Sequence, residues 1–215
     1  MAGVPPTLAL PTRSVPVAEL GENVPMSEPF VQMLSGGHHN SLGRTGEVVG
    51  TVVEDHGRLD ELFACLDSPD ELVRLRAGDA LEKVCRERKE WFVPRADRFL
   101  TEIGRIDQPS VQWHTAQILD HLRPDLTETR RRQAIDLLLG YLDESGDWIV
   151  LNTSAGILTE WARSDPKLAR SLRPRLERLT TDRRKSVARR ATRCLEAIRD
   201  ADAAGTARQK RTSSH

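Results

Sequence analysis

Four kinds of residue in this chain could do chemistry, and their spacing limits what that chemistry can be. The six histidines stand at positions 38, 39, 56, 114, 121 and 215. None falls in a His-Glu-x-x-His pattern, which would set two zinc ligands on one helix face. No Gly-x-Ser-x-Gly turn exposes a nucleophilic serine. His38 and His39 are neighbours whose rings point apart, and no third ligand stands near them, so neither a metal nor a cofactor is expected. Cys65, Cys85 and Cys194 are too few and too scattered for a disulfide framework or a zinc knuckle. They read as reduced thiols filling a core.

What remains points to binding. Trp113 beside His114 joins a large flat surface to a polar ring; an exposed tryptophan anchors a protein or a nucleobase, and a buried one is simply core. Both readings are open at this level. The loop Ser35-Gly-Gly-His-His-Asn-Ser-Leu-Gly-Arg44 precedes a helix, and Gly36, Gly37 and Arg44 can build a nest of amides for an anion. The alternative is a connector, because no Gly-Lys-Ser/Thr follows as a phosphate-binding loop requires. Arginine supplies the third feature. Residues 166–199 hold 12 basic and three acidic side chains, an excess of nine positive charges, including Arg183, Arg184, Lys185, Arg189, Arg190 and Arg193. Residues 54–147 hold 21 acidic and 14 basic side chains, an excess of seven negative charges. The formal net charge of zero over 215 residues therefore conceals a dipolar molecule.

The elements that carry these residues are helices. Between residues 44 and 199 no stretch alternates apolar and polar residues as strands do. Counting from Val73, small or apolar residues follow at +4, +7, +8 and +11 (Ala77, Ala80, Leu81, Val84). Val111, Val150 and Val187 start the same series, spaced 38, 39 and 37 residues apart. At ~100° per residue these positions share one buried face. A partner helix precedes each: Leu59–Leu66, Phe99–Ile103, Ile135–Leu142 and Leu168–Leu179 carry the facing apolar residues. Polar turns rich in Asp, Ser, Pro and Gly join the partners. Val48, Val49, Val52 and Val53 mark a further helix in a capping layer, and Ser27 reads as the cap of another.

The domain reading follows. Residues 1–26, with five prolines, form a disordered arm, and 27–57 form capping helices with the Gly/His loop. Four repeats occupy 58–86, 93–123, 128–162 and 166–199, and 200–215 is a disordered tail. No run approaches the roughly 20 apolar residues that span a bilayer. The opening MAGVPPTLALP lacks a basic segment followed by an apolar one, so no secretory signal and a cytoplasmic location are expected.

A helix pair of about 40 residues, with an Asp-containing turn and a second helix opening on Val and small residues, resembles the HEAT repeat. The stretch Asp67–Val84, with its Val73-Arg74 pair, carries the resemblance most clearly; Gln112, Leu151 and Ala188 stand where the other units would have that arginine. The resemblance implies an all-α, right-handed α-solenoid whose second helices line a concave surface, in a family that commonly binds proteins or nucleic acid.

On that frame, positions +2 and +3 of each second helix lie opposite the buried face. They place Arg76, Trp113, His114, Asn152, Arg189 and Arg190 in a ladder across the concave side. The functional expectation is a non-enzymatic scaffold, plausibly monomeric, that binds a protein partner along this ladder. A nucleic-acid-binding solenoid using the basic last repeat is the alternative. A further alternative rests on resemblance to the HEAT-like alkylpurine DNA glycosylases, through Trp113, Trp148, Trp161 and the C-terminal arginines. Against it, Gln117 stands four residues after Trp113, where a carboxylate would be wanted, and the middle repeats are net acidic.

Overall fold

The computed structural model describes residues 27–38 and 41–212; the proline-rich arm at 1–26 lies outside them. After α1 (Phe30–Leu34) and α2 (Thr45–Glu54), four helix pairs follow. The outer helices are α3 (Leu59–Ala64), α5 (Ala96–Thr101), α7 (Glu128–Glu144) and α9 (Pro166–Leu179). The inner helices are α4 (Glu71–Glu87), α6 (Pro109–Leu122), α8 (Trp148–Ala162) and α10 (Lys185–Thr212). The inner helices pack side by side in the order α4, α6, α8, α10, with α2 against α4, while α5, α7 and α9 form the outer row. The described residues are all helix, turn or loop, and one continuous apolar core runs between the two layers. Every position of the 0, +4, +7, +8, +11 series is buried, except Ile157, which is partly exposed. None of the described helices is long and apolar enough to cross a membrane.

Aspartates in the turns stop one helix and start the next. Asp70, Asp147 and Asp165 each accept a hydrogen bond from the first-turn amides of α4, α8 and α9, and Thr127 does so for α7. Gln108 occupies this place before α6 without capping it. Its side chain reaches back to the preceding repeat instead, donating to the Glu71 carbonyl at 2.9 Å and accepting from Arg74 Nε at 2.5 Å. Arg74 also donates to the Ser68 carbonyl, so it ties its own turn to the next one. Arg184 makes the equivalent tie at the last junction, donating to the Gly146 carbonyl.

Three expectations need correction. Ser27 is not a helix cap: Pro29 holds that place, and α1 has no acidic residue in its first turn. Proline's fixed φ and missing N–H suit a helix entry, which the sequence reading gave to serine. Second, α10 does not end at 199 but continues through Thr212. Ala, Arg, Gln and Lys are good helix formers even where no apolar periodicity requires burial. Third, the Gly/His loop is not an anion nest. Gly36, Gly37 and Gly43 adopt φ of 68°, 79° and 53°, and the chain turns its carbonyls inward around a buried cation. That cation is Arg76.

Candidate binding surface on the inner helices

Arg76 is 1% exposed. Its guanidinium donates to the carbonyls of Leu34 and Gly36, both at 2.7 Å, and of Ser41 at 3.0 Å. A Cβ added at Gly43 would lie 3.0 Å from its Cζ, so glycine is required there for close approach as well as for φ. Arg44, the other cation of the loop, is spent on Glu28 and Glu47 at 2.8 and 2.9 Å. The loop is therefore a latch holding α1 against the first repeat, with its charge satisfied internally.

The ladder divides along the molecule. Arg76 and His114 occupy the same +3 position, and both are buried. The ring of His114 lies over Gly78 of the preceding inner helix: a Cβ at Gly78 would meet His114 Cδ2 at 3.2 Å. Burial holds this imidazole below its ordinary pKa. Trp113 is half-buried and packs against the core, 5.5 Å from the His114 ring. The helical-wheel argument placed +3 on the open side because it counted only the partner helix. An inner helix also has a neighbour on each flank, which leaves a narrower open stripe.

Polar residues not singled out by sequence border that stripe. Asp79 and Glu82 of α4 are each 8% exposed. Lys83 reaches Asp79 at 2.6 Å, and His121 Nε2 meets Glu82 at 2.9 Å across the repeat boundary. The hydrogen bond from His121 lowers the Glu82 pKa, against burial. Farther on, the buried Trp161 donates its indole N–H to Asp120 at 2.7 Å. Their spacing was the available signal: +6, +9 and +10 fall on the same open stripe as +2.

Beyond α8 the surface changes. Two contiguous hollows, of about 650 and 400 Å³, lie along α8 and α10 and share Arg190 and Arg193. Asn152 and Arg189 line the larger, and Asp120 and Glu160 the smaller. Arg190 passes over Gly156, its Nη1 3.6 Å from where a Cβ would stand, as His114 passes over Gly78. Neither Arg190 nor Arg193 has an ion pair with a described residue, and Asn152 Oδ1 has no hydrogen-bond partner. Of the other basic residues, Arg184 is bound to Asp182 at 2.7 Å and drives that carboxyl down to about 2. Arg183 and Lys185 are exposed at the turn.

A search of solved structures finds the same architecture. An engineered protein determined by crystallography as a structural-genomics target superposes with a TM-score of 0.52, at 21% identity over 80% of this chain and 78% of that one. The fold is a helical-repeat solenoid. A designed armadillo repeat protein is a more distant neighbour, with a TM-score of 0.36 and 14% identity over 79% of this chain and 98% of that one. No family model and no curated protein sequence matches the chain.

Among the described residues, no group of three or more His, Cys, Asp or Glu side chains is placed to hold a metal ion. The three thiols are buried, and burial pushes Cys65 up to about 11 and Cys85 up to about 12, far from a reactive thiolate. The three tryptophans of the glycosylase resemblance have separate settings: Trp161 is core, Trp113 half-buried, and Trp148 exposed at the start of α8.

Proposed function

We propose that this chain is a non-enzymatic scaffold of HEAT type that holds an acidic segment of a protein partner in the groove along α8 and α10. One observation carries the reading: the hollow lined by Asn152, Arg189, Arg190 and Arg193, with Glu196 as its one acidic residue, presents three guanidinium groups that have no ion pair with a described residue. Arginine's planar fork suits carboxylates. Trp113 packs against the core and lines neither hollow, and Arg76 and His114 serve the fold. Cysteine chemistry and the absence of a disulfide framework suit a cytoplasmic setting.

The excess of nine positive charges over residues 166–199 favours one other reading, a nucleic-acid backbone in the same groove. One experiment separates the two. Fluorescence anisotropy is recorded with an aspartate-rich peptide and with duplex DNA, for wild type and for Arg189→Glu/Arg190→Glu/Arg193→Glu. Peptide binding that the triple variant loses, with DNA held only at low salt, supports the acidic-peptide reading. Tight, steeply salt-dependent DNA binding lost in the same variant transfers the groove to nucleic acid. Binding that survives charge reversal removes both.

A further inference from the structure

The outer layer holds a second cavity, remote in chemistry from the arginine groove. Outer helix α5 spans six residues and gives way to a 3-10 turn at Ile103–Arg105, whereas its neighbour α7 spans 17. The C-terminal part of α7 outruns α5, and a cavity of about 980 Å³ opens between the two repeats. Its floor is apolar and fixed. Leu100, Leu137 and Tyr141 line it, and the Tyr141 hydroxyl donates to the Gly104 carbonyl at 2.5 Å.

Its rim is acidic. Asp107, Asp136 and Glu144 face the cavity, and none has a hydrogen bond or ion pair with its side chain among the described residues. Three other outer-layer carboxylates are neutralised across repeat boundaries: Asp60 with Arg95, Asp97 with Arg130, and Asp143 with Arg175 and Arg178. Arg105 is the one cation lining the cavity, and the fourth acid, Asp147, is occupied in capping α8. Unpaired carboxylates around an apolar floor complement a ligand that is cationic at its edges and apolar between them.

We propose that this cavity binds a basic, extended segment of a partner protein. Asp136 and Glu144 stand eight residues apart on α7, a rise of ~12 Å. An extended peptide at ~3.3 Å per residue covers that distance in four residues, with side chains i, i+2 and i+4 on one side. Two arginines four apart meet the two carboxylates, and the apolar side chain midway between them rests on Leu137 and Tyr141. A single guanidinium would leave most of the volume empty.

The probe is a fluorescein-labelled Gly-Arg-Ala-Leu-Ala-Arg-Gly peptide, titrated by anisotropy with the full chain. We expect saturable, salt-weakened binding that falls about tenfold in Asp136→Asn/Glu144→Gln and when both peptide arginines become glutamine. Thermal unfolding of the variant should match wild type, because both carboxylates are exposed and unpaired. Arg189→Glu/Arg190→Glu/Arg193→Glu should bind the probe undiminished, so failure of the concave groove and failure of this site are told apart. Equal binding by the glutamine peptide, equal binding by the neutralised cavity, or no binding at millimolar chain overturns the proposal. Competition by free arginine at equal concentration would reassign the cavity to a small cation. Salt-sensitive dimerisation abolished by the same two substitutions would reassign it to a second copy of the chain.

Discussion

The first and last inner helices share one apolar register and use their polar residues in opposite ways. On α4, Arg76 is sealed by the carbonyls of the 34–41 turn, Asp79 is paired with Lys83, and Glu82 with His121. On α10, Arg190 and Arg193 cover an open groove without ion pairs. Arg76 and Arg190 occupy the same repeat position, and only their surroundings differ. Arg76 has the Gly/His loop folded over it, whereas no described segment closes over Arg190. The repeat therefore fixes where a side chain points, and the capping segments decide whether its charge is sealed inside the fold or stays exposed.

The largest effect is expected at Arg76. Arg76→Ala leaves several buried carbonyls without a donor, and hydrogen bonds to a charged group are individually strong; we expect a loss of about 3 kcal/mol in urea unfolding. Arg76→Lys should recover only part of it, since an ammonium cannot present the same fork. A loss below ~1 kcal/mol would mean the latch is incidental.

Two hydrogen bonds between repeats give the next effect. Tyr141→Phe removes the bond to the Gly104 carbonyl and Asp120→Ala the bond from the Trp161 indole, and each should cost about 1 kcal/mol by the same measurement.

Acidification should then separate the halves. The Glu82 carboxyl is held below its ordinary pKa, so its stabilisation is present above ~4.3 and is lost as the pH falls through its folded value. His114 is also held down, by burial, and the unfolded chain binds its proton more readily. Its stabilisation is complete above ~6.5 and declines as the pH drops below that. The urea midpoint should therefore fall between about pH 7 and pH 5, and less so in His114→Gln. An unchanged slope in that variant would show that His114 does not contribute. The smallest effect on stability belongs to Arg190→Glu/Arg193→Glu, within about 0.5 kcal/mol of wild type, because neither side chain has an internal ion-pair partner.

Much of the fold was legible in the four valine-anchored series, because burying one face of a helix forces a 3.6-residue period. The candidate site was legible only at its basic end. Asn152, Arg189 and Arg190 could be placed from the register, since little else packs over them. Arg76 and His114 could not, because their burial depends on a loop about 35 residues away in sequence and on Gly78 of the adjoining repeat. The glycines at 36, 37 and 43 were visible as loop residues, but whether their amides or their carbonyls faced inward is set by tertiary contact with Arg76. The helix beyond 199 was missed because propensity alone builds it. The outer cavity was hidden for a related reason: the apolar pattern marks Phe99–Ile103 as helical, yet α5 breaks at Glu102 and leaves α7 uncovered.

We propose that charge at the first repeat's inner helix maintains the fold and that charge at the last one recruits a partner. The most direct test measures unfolding free energy and affinity for the aspartate-rich peptide together, in Arg76→Lys and in Arg190→Glu/Arg193→Glu. Arg76→Lys should lose stability and, while folded, keep its affinity, whereas the double variant should keep stability and lose affinity. Equal affinity in the double variant and wild type would contradict this proposal.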